Sequence, residues 1–218
     1  MHISIASGKG GTGKTLVSLL LSAANPNALL IDCDVEEPNL HLFLHPEQTQ
    51  PPQTITVPVP AFDADKCVRC GRCADRCLYN ALALVPAGPM LFEELCHSCG
   101  GCLAACRDGA VTERPREVGT LTFARAASRP ATQVITGHQA IGVASGIPLI
   151  KALKAEAAQG HVDVIADCPP GTACSTVAAL RGSDYCLLVT EPTPFGLHDL
   201  GQAIAVIKLL GLPAAVIL

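Results

Sequence analysis

A glycine-rich segment near the amino end carries the side chains best suited to bind a phosphate group. Positions 8–15 read GKGGTGKT and match the pattern G-x-x-x-x-G-K-[ST], between an apolar run and a run that favours a helix. Glycines let backbone N–H groups surround phosphate oxygens, and the helix adds the partial positive charge of its first turn. Lys14 of this pattern reaches the terminal phosphates, where it also acts in catalysis, and the Thr15 hydroxyl binds Mg²⁺. The predicted site therefore consists of Gly8, Gly10, Gly11, Thr12, Gly13, Lys14 and Thr15.

Eight of the twelve cysteines form a second group of residues whose side chains could bind a metal or take part in a reaction. They follow the pattern C-x2-C-x2-C-x3-C twice, at positions 67–77 and again at positions 96–106. This is the spacing of bacterial ferredoxins, in which the first three cysteines of a run bind one 4Fe-4S cluster and the fourth binds the other. The spacing predicts one cluster on Cys67, Cys70, Cys73 and Cys106, and a second on Cys96, Cys99, Cys102 and Cys77.

Other interpretations of the cysteine runs are weaker. Zinc is the main alternative because C-x2-C pairs also form tetrahedral sites, although duplicated runs of four cysteines fit zinc poorly. The proline that usually follows the fourth cysteine is replaced by Leu78 and Arg107, so the local turn and the potential are expected to differ. Arginines among the ligands either raise the cluster potentials or are ordinary surface charges, and both readings stay open. These arginines are Arg69, Arg72, Arg76 and Arg107.

Two acidic segments follow apolar strands and are the expected source of a further magnesium ligand. The first contains Asp32 and Asp34, and the second begins at Asp167 and includes Gly171. A phosphate-binding loop requires a metal-binding acid, which favours Asp167 as a magnesium ligand together with Thr15. A strand-end aspartate can instead cap the helix that follows it, and that alternative stays open.

Short apolar runs alternate with longer helical runs along most of the chain. This alternation predicts parallel strand–helix–strand units with right-handed crossovers. The expected fold is therefore α/β, a P-loop NTPase with a mostly parallel sheet flanked by helices. Strands are expected at 2–6, 28–31, 162–166, 185–190 and 214–218, and helices at 15–24, at 147–158, from near 172 and at 198–210.

A stretch of different composition interrupts this pattern. Residues 46–60 are rich in Pro, Gln and Thr, and the alternation at 54–57 predicts a short extended segment that leads into an insertion. The insertion contains both cysteine runs and ends near Pro115. We therefore expect a discontinuous P-loop domain over 1–59 and 116–218, and an inserted small α+β domain of the bacterial-ferredoxin type over 60–115.

Composition limits the class of protein and its partners. Hydrophobic residues make up 49% of the chain and aromatic residues only 3%, so the core must be aliphatic, which favours an α/β fold. The net charge of -4 and the lack of a basic run give no electrostatic reason to expect nucleic acid or a membrane as partner. No signal peptide or membrane span is recognised, and unpaired cysteines suit a reducing compartment, so a cytoplasmic location is expected. The last strand has no helix after it, so we expect the natural polypeptide to continue beyond Leu218.

The loop and the cysteine runs together carry a resemblance to a known family. Positions 9–15, with a lysine inside the loop, resemble the deviant Walker A motif of the MinD, Mrp and nitrogenase iron protein superfamily. The whole chain resembles MinD/Mrp-superfamily P-loop ATPases that contain an inserted ferredoxin domain, and segments 34–40, 96–102 and 189–199 extend the match. The resemblance implies ATP or ADP with Mg²⁺ as ligands, slow hydrolysis of ATP in the absence of a partner protein, and a homodimer formed across the nucleotide.

The same resemblance implies roles for individual residues. Lys9 would cross to the nucleotide of the other subunit and act there in catalysis, as an arginine finger does in other NTPases. Asp34 would orient the attacking water with Asp32 nearer to the metal, although which of the two positions the water stays open. Asp167 would bind Mg²⁺ through water, and Gly171 would sense the γ-phosphate.

Three functions are compatible with these expectations, and the fold alone does not rank them. The favoured hypothesis is an ATPase that couples nucleotide-driven dimer switching to iron–sulfur cluster or metallocofactor assembly, with an acceptor protein as partner. The alternatives are an ATP-gated electron-transfer protein similar to the nitrogenase iron protein, and a MinD-like positioning or interaction ATPase with redox-sensing clusters. Carriers of the Mrp type usually have a C-terminal C-x-x-C pair, and none follows Cys106, which counts against a strict carrier.

Overall fold

The computed structural model describes residues 1–160 and 163–218, which form two compact units. The larger unit consists of Met1–Gln53, Gly119–Gln139 and Gly146–Leu218, and the smaller unit consists of Thr54–Val118 and Ala140–Ser145. The smaller unit contains every residue of the domain predicted over 60–115 and adds short flanking stretches. Its assignment to the ferredoxin class stays a prediction.

The described residues form strands and helices that alternate along most of the larger unit. In chain order the elements are β1 (His2–Ala6), α1 (Lys14–Ala24), β2 (Leu29–Asp32), α2 (Leu40–Leu44), β3 (Glu47–Phe62), α3 (Arg72–Asp75), β4 (Leu82–Val85), β5 (Gly88–Leu91), a 3-10 turn (Glu93–Leu95), α4 (Gly101–Ala105), β6 (Val111–Ala126), β7 (Arg129–Gln139), α5 (Ile147–Ala157), β8 (Val164–Asp167), α6 (Cys174–Leu180), β9 (Tyr185–Val189), α7 (Pro194–Leu209) and β10 (Ala214–Ile217). None of these described helices is long and apolar enough to cross a membrane.

One sheet contains eight of the described strands in the order β10-β9-β1-β8-β2-β7-β6-β3. The strands from β10 to β7 are parallel to their neighbours, and β6 runs antiparallel to β7. The predicted α/β fold with a mostly parallel sheet flanked by helices is therefore confirmed. The register of β2 and β8 places Asp32 opposite Asp167, so the carboxyl ends of these two strands bring two acids side by side.

The core of the larger unit lies around its central parallel strands. All residues of β2 and β8 are buried, because a parallel sheet covered on both faces requires nearly continuous apolar strands. Helix α1 packs on β1, β2 and β8, while α5 packs on β2 and β7. Ile5, Leu30 and Ile165 belong to one buried cluster. Each such side chain contributes roughly 1.5–3 kcal/mol through burial, which gives the loops at the strand ends a rigid support.

The smaller unit has short elements around its cysteines. Strands β4 and β5 form an antiparallel pair, and the four-residue helix α3 contacts the five-residue helix α4. Each of these helices lies within one cysteine run, directly after a glycine, at Gly71 and Gly100. The internal repeat of the sequence is therefore also a repeat of local structure.

Most predicted elements of the larger unit are confirmed to within one or two residues. The helix predicted over 198–210 begins four residues earlier, at Pro194. The Thr193 hydroxyl accepts a hydrogen bond from the backbone of Gly196 at 3.0 Å, which caps the helix, and proline suits its first turn. The strand predicted over 162–166 includes Val162, which lies outside the described residues, and β8 starts at Val164.

Two features of the fold differ from the sequence prediction. The segment expected to contain a short extended stretch at 54–57 belongs to β3, a strand of 16 residues. Its prolines are compatible with a strand because β3 lies at one edge of the sheet. On the open side of an edge strand, a residue without a backbone N–H does not remove a hydrogen bond to another strand. The hairpin of β6 and β7 was also not predicted, and it places Thr122 opposite Thr136.

Candidate functional site

The glycine-rich loop connects β1 to α1 in the larger unit. Gly11 and Gly13 have φ values of 78° and 94°, in the left-handed region that favours glycine, and Gly13 directly precedes α1. A Cβ added at Gly10, Gly11 or Gly13 would meet no atom within 4 Å. The loop therefore leaves open space beside the first turn of α1, where backbone N–H groups have no helical partner and favour an anion.

The first glycine of the motif lies in a more crowded place. A Cβ at Gly8 would lie 2.3 Å from the backbone oxygen of Asp199 in α7. The backbone N–H of Gly171 donates to the carbonyl of Ser7 at 2.9 Å, so the loop after β8 contacts the phosphate loop. The Ser7 hydroxyl donates to the carbonyl of Lys9 at 2.5 Å. The glycine-rich loop is thus supported by α7 and by the segment that contains Gly171.

Lys14, Thr15 and Asp167 lie in one neighbourhood and have the properties of a magnesium and phosphate site. Lys14 and Asp167 are both buried, and Oδ1 of Asp167 has no hydrogen-bond partner within the described part of the chain. Burial raises the pKa of Asp167, opposed by the hydroxyls of Thr15 and Ser18 and by the charge of Lys14. A buried unpaired carboxylate oxygen is costly unless it has a ligand, and hard oxygen donors suit Mg²⁺. Among the same described residues, the Thr12 hydroxyl is likewise buried without a partner.

Asp32 serves first as an anchor for the loop after β2. One carboxylate oxygen accepts from the backbone N–H of Asp34 at 3.2 Å, and the other accepts from Asn39 at 3.1 Å and Leu40 at 3.2 Å. Both oxygens are therefore engaged. Burial raises the pKa of Asp32 to about 7, with a further contribution from the neighbouring charge of Asp167.

Asp34 is available for other contacts. It lines a cavity formed by the loops after β2 and β8, together with residues that include Glu36, Pro169 and Ser175. Partial burial raises the pKa of Asp34 to about 6, and the charge of Lys14 opposes the shift. A half-buried carboxyl group in an open cavity can accept a hydrogen bond from a water molecule. The two acids therefore differ in their surroundings: the carboxylate of Asp32 orders the loop, and Asp34 lines the cavity.

Lys9 is held by an ion pair within the chain. Its Nζ forms an ion pair with the Glu191 carboxylate at 2.5 Å, and the same oxygen accepts from the Thr193 hydroxyl at 2.8 Å. Lys9 and Thr193 hold the pKa of Glu191 below its ordinary value. Sequence reasoning missed Glu191, although it lies in the segment at 189–199 that contributed to the family resemblance.

The cysteine runs form two cavities in the smaller unit. Each cavity is lined by four cysteines, three from one run and the last from the other. Cys67, Cys70, Cys73 and Cys106 line one cavity, and Cys96, Cys99, Cys102 and Cys77 line the other. The ligand sets predicted from the spacing are therefore close together in space, and all eight cysteines are free thiols. We call these the Cys67 cavity and the Cys96 cavity.

The fourth cysteine of each run has the same local geometry. The backbone N–H of Ala81 donates to Sγ of Cys77 at 3.3 Å, and that of Ala110 donates to Sγ of Cys106 at 3.3 Å. Hydrogen bonds to ligand sulfurs are one of the factors that set cluster potentials. No group of three or more His, Cys, Asp or Glu side chains converges on a single-ion site within residues 1–160 and 163–218. The cysteines instead surround two spaces.

The two cavities differ in their polar surroundings. Arg72 donates from Nε to Sγ of Cys70 at 3.1 Å and from Nη2 to Asp108 at 3.0 Å. The contact with Arg72 lowers the pKa of the Cys70 thiol. At the Cys96 cavity the rings of Tyr79 and His97 stack with their centroids 3.9 Å apart. No sequence pattern marked Asp108 or Tyr79 as a neighbour of the cysteines.

The phosphate loop, the buried acid at the end of β8 and the parallel sheet together define a nucleotide-binding domain of the P-loop type. The chain matches the family described as the CobQ/CobB/MinD/ParA nucleotide binding domain over residues 3–215, and it belongs to that family. Two relatives from Methanocaldococcus jannaschii match most or all of this chain. The uncharacterized protein MJ0579 is 29% identical over 222 residues, covering 100% of this chain and 79% of the relative. The uncharacterized protein MJ0578 is 28% identical over 205 residues, covering 91% and 70%.

Solved structures of MinD proteins share the fold. The septum site-determining protein MinD of Pyrococcus horikoshii, solved in complex with Mg-ADP, has a TM-score of 0.52 and 22% identity, covering 98% of this chain and 67% of that chain. The MinC:MinD cell division complex of Aquifex aeolicus has a TM-score of 0.52 and 16% identity, covering 99% and 66%. At these identities the likeness shows the fold.

Proposed function

We propose that this chain is an ATPase with two 4Fe-4S clusters that couples nucleotide-driven switching of a homodimer to iron–sulfur cluster or metallocofactor assembly. The observation that carries the proposal is the pair of four-cysteine cavities in a chain that also has a complete phosphate loop. Family membership supports the nucleotide half of the proposal. The cavities support the iron–sulfur half.

The nucleotide half rests on Lys14, Thr15 and Asp167 of the larger unit, where the Thr15 hydroxyl donates to Oδ1 of Asn39 at 3.1 Å. Lys14 neutralises charge on the terminal phosphates, while Thr15 and Asp167 hold Mg²⁺, which stabilises the charge that develops on the transferred phosphoryl group. The unpaired oxygen of Asp167 is the observation that fits this cation. The Mg-ADP in the Pyrococcus horikoshii MinD structure supports the same ligand here.

Hydrolysis then requires a positioned water and an additional cation. Asp34 faces a cavity and is the proposed residue that orients the water, while Asp32 holds the loop that carries it. Lys9, in the proposed deviant Walker A motif, supplies its charge to the nucleotide of the other subunit. Because Lys9 is paired with Glu191 within one chain, that pair must open before Lys9 can reach the other subunit. Gly171, whose N–H now binds Ser7, is the proposed sensor of the γ-phosphate.

The iron–sulfur half rests on the fit between each cavity and a cluster. A 4Fe-4S cluster has an iron at four corners and takes four thiolates arranged around a space, which is what each cavity provides. The domain over 60–115 is therefore proposed to be of the bacterial-ferredoxin type. Ligand thiols persist in a reducing compartment, so we propose that the protein works in the cytoplasm.

Electron transfer gated by ATP is the second candidate function. Both cysteine sets are complete within one chain, so neither cluster needs a ligand from another protein. A complete ligand set favours a cluster that stays in place and delivers electrons. Either function requires an acceptor protein.

The test is anaerobic reconstitution followed by analysis of iron, sulfide and EPR signals, with and without MgATP. We expect about eight irons per chain, since each 4Fe-4S cluster contributes four. Transfer of clusters to an apo-ferredoxin that depends on MgATP would support assembly. A change in EPR signals or potentials without cluster release would support electron transfer. A chain that takes up no more than one iron would contradict both.

A variant checks the crossed ligand assignment. Cys77→Ser is expected to impair the cluster in the Cys96 cavity, although Cys77 belongs to the first run. Damage confined to the Cys67 cavity would contradict the assignment. Cys174→Ser is the matched control because Cys174 is exposed and lies outside both runs, and its iron content should equal that of the unmodified protein.

A further inference from the structure

The two cysteine runs have the same spacing, but the residues between the ligands differ. Arg72 directly precedes the third cysteine of the first run, and the corresponding position in the second run is Gly101. Nε of Arg72 donates to Sγ of Cys70 at 3.1 Å, whereas Gly101 has no side chain to make the equivalent contact. The repeat therefore breaks at the residue that touches a proposed cluster ligand.

The charged residues that line the two cavities also differ. The Cys67 cavity is lined by two cations, Arg69 and Arg72, and by one carboxylate, Asp108. Among the described residues that line the Cys96 cavity, Glu113 is the single carboxylate and none is arginine or lysine. The balance of lining charge is therefore positive around the first cavity and negative around the second.

Two neighbouring residues bear on this difference. Asp108 accepts from Nη2 of Arg72 at 3.0 Å, so it offsets part of the arginine charge while it fixes the direction in which Nε points. Arg76 approaches the second run, since its Cγ would lie 3.9 Å from a Cβ built at Gly101. Arg76 does not belong to the lining of the Cys96 cavity, and its side chain is exposed. Its charge is therefore more strongly screened by solvent than a hydrogen bond made directly to a ligand sulfur.

Reduction adds one negative charge to a cluster, so nearby cations and hydrogen bonds to the ligand sulfurs stabilise the reduced form. We infer that Arg72 is a redox-tuning residue that makes the cluster on Cys67, Cys70, Cys73 and Cys106 the first of the two to accept an electron. This inference rests on the proposed function. One electron comes from an external low-potential donor, which is oxidised by one electron, and no proton moves. The cluster in the Cys96 cavity is then the stronger reductant.

The experiment is a mediated redox titration of the reconstituted protein under anaerobic conditions, with dithionite as reductant and EPR as readout. The unmodified protein should show two reduction steps. In Arg72→Gln the step at higher potential should move down by an amount equal to about a tenfold change in the reduced-to-oxidised ratio, about 59 mV for one electron. The step at lower potential should stay in place. Arg72→Lys keeps a cation and should recover part of the shift.

Two further variants test whether the shift is specific to Arg72. Arg76→Gln is the matched control and should leave the higher step unchanged. Asp108→Asn removes the nearby negative charge but keeps a side-chain oxygen that can accept from Nη2 of Arg72. The higher step should therefore move up or stay in place, and a downward shift as large as that of Arg72→Gln would overturn the inference. It would also be overturned if Arg72→Gln assembled both clusters and left both steps unchanged, or moved only the lower one. If the unmodified protein takes up no clusters, the proposed function has failed instead.

Discussion

The larger and the smaller unit are stabilised in different ways. The largest fully buried side chains belong almost entirely to the larger unit, among them Ile5, Leu30 and Leu153, and Val59 is the single one within the described residues of the smaller unit. Many other buried positions of the smaller unit are small residues such as Ala81. A unit of this size with so little buried apolar volume usually depends on disulfides or a metal centre.

The candidate functional residues of the two units therefore depend on the surrounding fold in different ways. In the larger unit the acids at the ends of β2 and β8 are positioned by a sheet that has a buried apolar core of its own. In the smaller unit the proposed ligands are themselves the side chains around which the chain folds. Removal of the nucleotide should therefore leave the site of the larger unit folded, whereas removal of iron should unfold the site of the smaller unit.

The largest expected effect is the loss of the smaller unit when iron is removed. Chelation of the reconstituted protein should abolish protection from hydrogen exchange over residues 54–118, because metal binding free energy is folding free energy in small metal-dependent units. Protection of β1, β2 and β8 should persist. Exchange that stays slow over 54–118 after complete iron removal would break the comparison, since the smaller unit would then be stable by itself.

A smaller effect, confined to the larger unit, is expected for Lys9→Ala. Loss of a cation supplied to the transferred phosphoryl group should reduce ATP hydrolysis by about 10³-fold. Iron content and the EPR signals should be unchanged. Lys151→Ala, which removes an exposed lysine of α5, is the control and should retain full turnover. Unaltered turnover in Lys9→Ala would rule out a catalytic role for this lysine.

Asp32 should make the free energy of unfolding of the larger unit depend on pH. Its pKa is about 7 in the folded state, while an aspartate of the unfolded chain has a pKa near 3.9, so the folded state binds more protons between these values. The free energy of unfolding should therefore fall as pH rises from about 4 to 7, by up to about 1.4 kcal/mol per pH unit from this group. Asp32→Asn should flatten that dependence in urea unfolding without Mg²⁺ or nucleotide. An equally steep dependence in the variant would assign the effect to other groups, of which Asp34 is the first to test.

The smallest expected effect concerns the ion pair of Lys9 with Glu191. Both side chains are about one third exposed, so Glu191→Gln should change stability by less than about 1 kcal/mol. Turnover should not fall, because the variant frees Lys9 to leave its own protomer. A marked fall in turnover would show that Glu191 assists catalysis directly. Iron content again serves as the internal control in the other unit.

The sequence predicted much of this architecture for identifiable reasons. Continuous apolar runs and the glycine-rich loop are local signals, so β1, α1 and the parallel strands were predictable, as was the grouping of the cysteines by a repeated spacing. The β6–β7 hairpin carried no such signal, because its pairing depends on residues distant in the chain. The long strand β3 was hidden by prolines, which a sheet edge tolerates and a sequence pattern cannot distinguish from a linker.

The site was predictable to a similar degree. Lys14, Thr15 and Asp167 follow from a motif and from its need for an acid. The ion-pair partner of Lys9 could not be predicted from a motif, since Glu191 is 182 positions away in the chain and only the fold brings the two together. The difference between the hydrogen bonds of Asp32 and the exposure of Asp34 could not be predicted, because it depends on the fold of the loop after β2.

The glycines of the phosphate loop differ in what a side chain would meet at each position. Gly10, Gly11 and Gly13 border open space, so packing within the chain does not require glycine there, and the proposed ligand and the shape of the turn are the remaining reasons for it. Gly8 is required by the interior of the protein, since any side chain would collide with the backbone of Asp199. A descendant of this chain that lost its nucleotide would be free to replace the first group and would still be obliged to keep Gly8. Survival of that glycine alone is therefore evidence of shared ancestry and packing, and loss of the other three is the better sign that the ligand has gone.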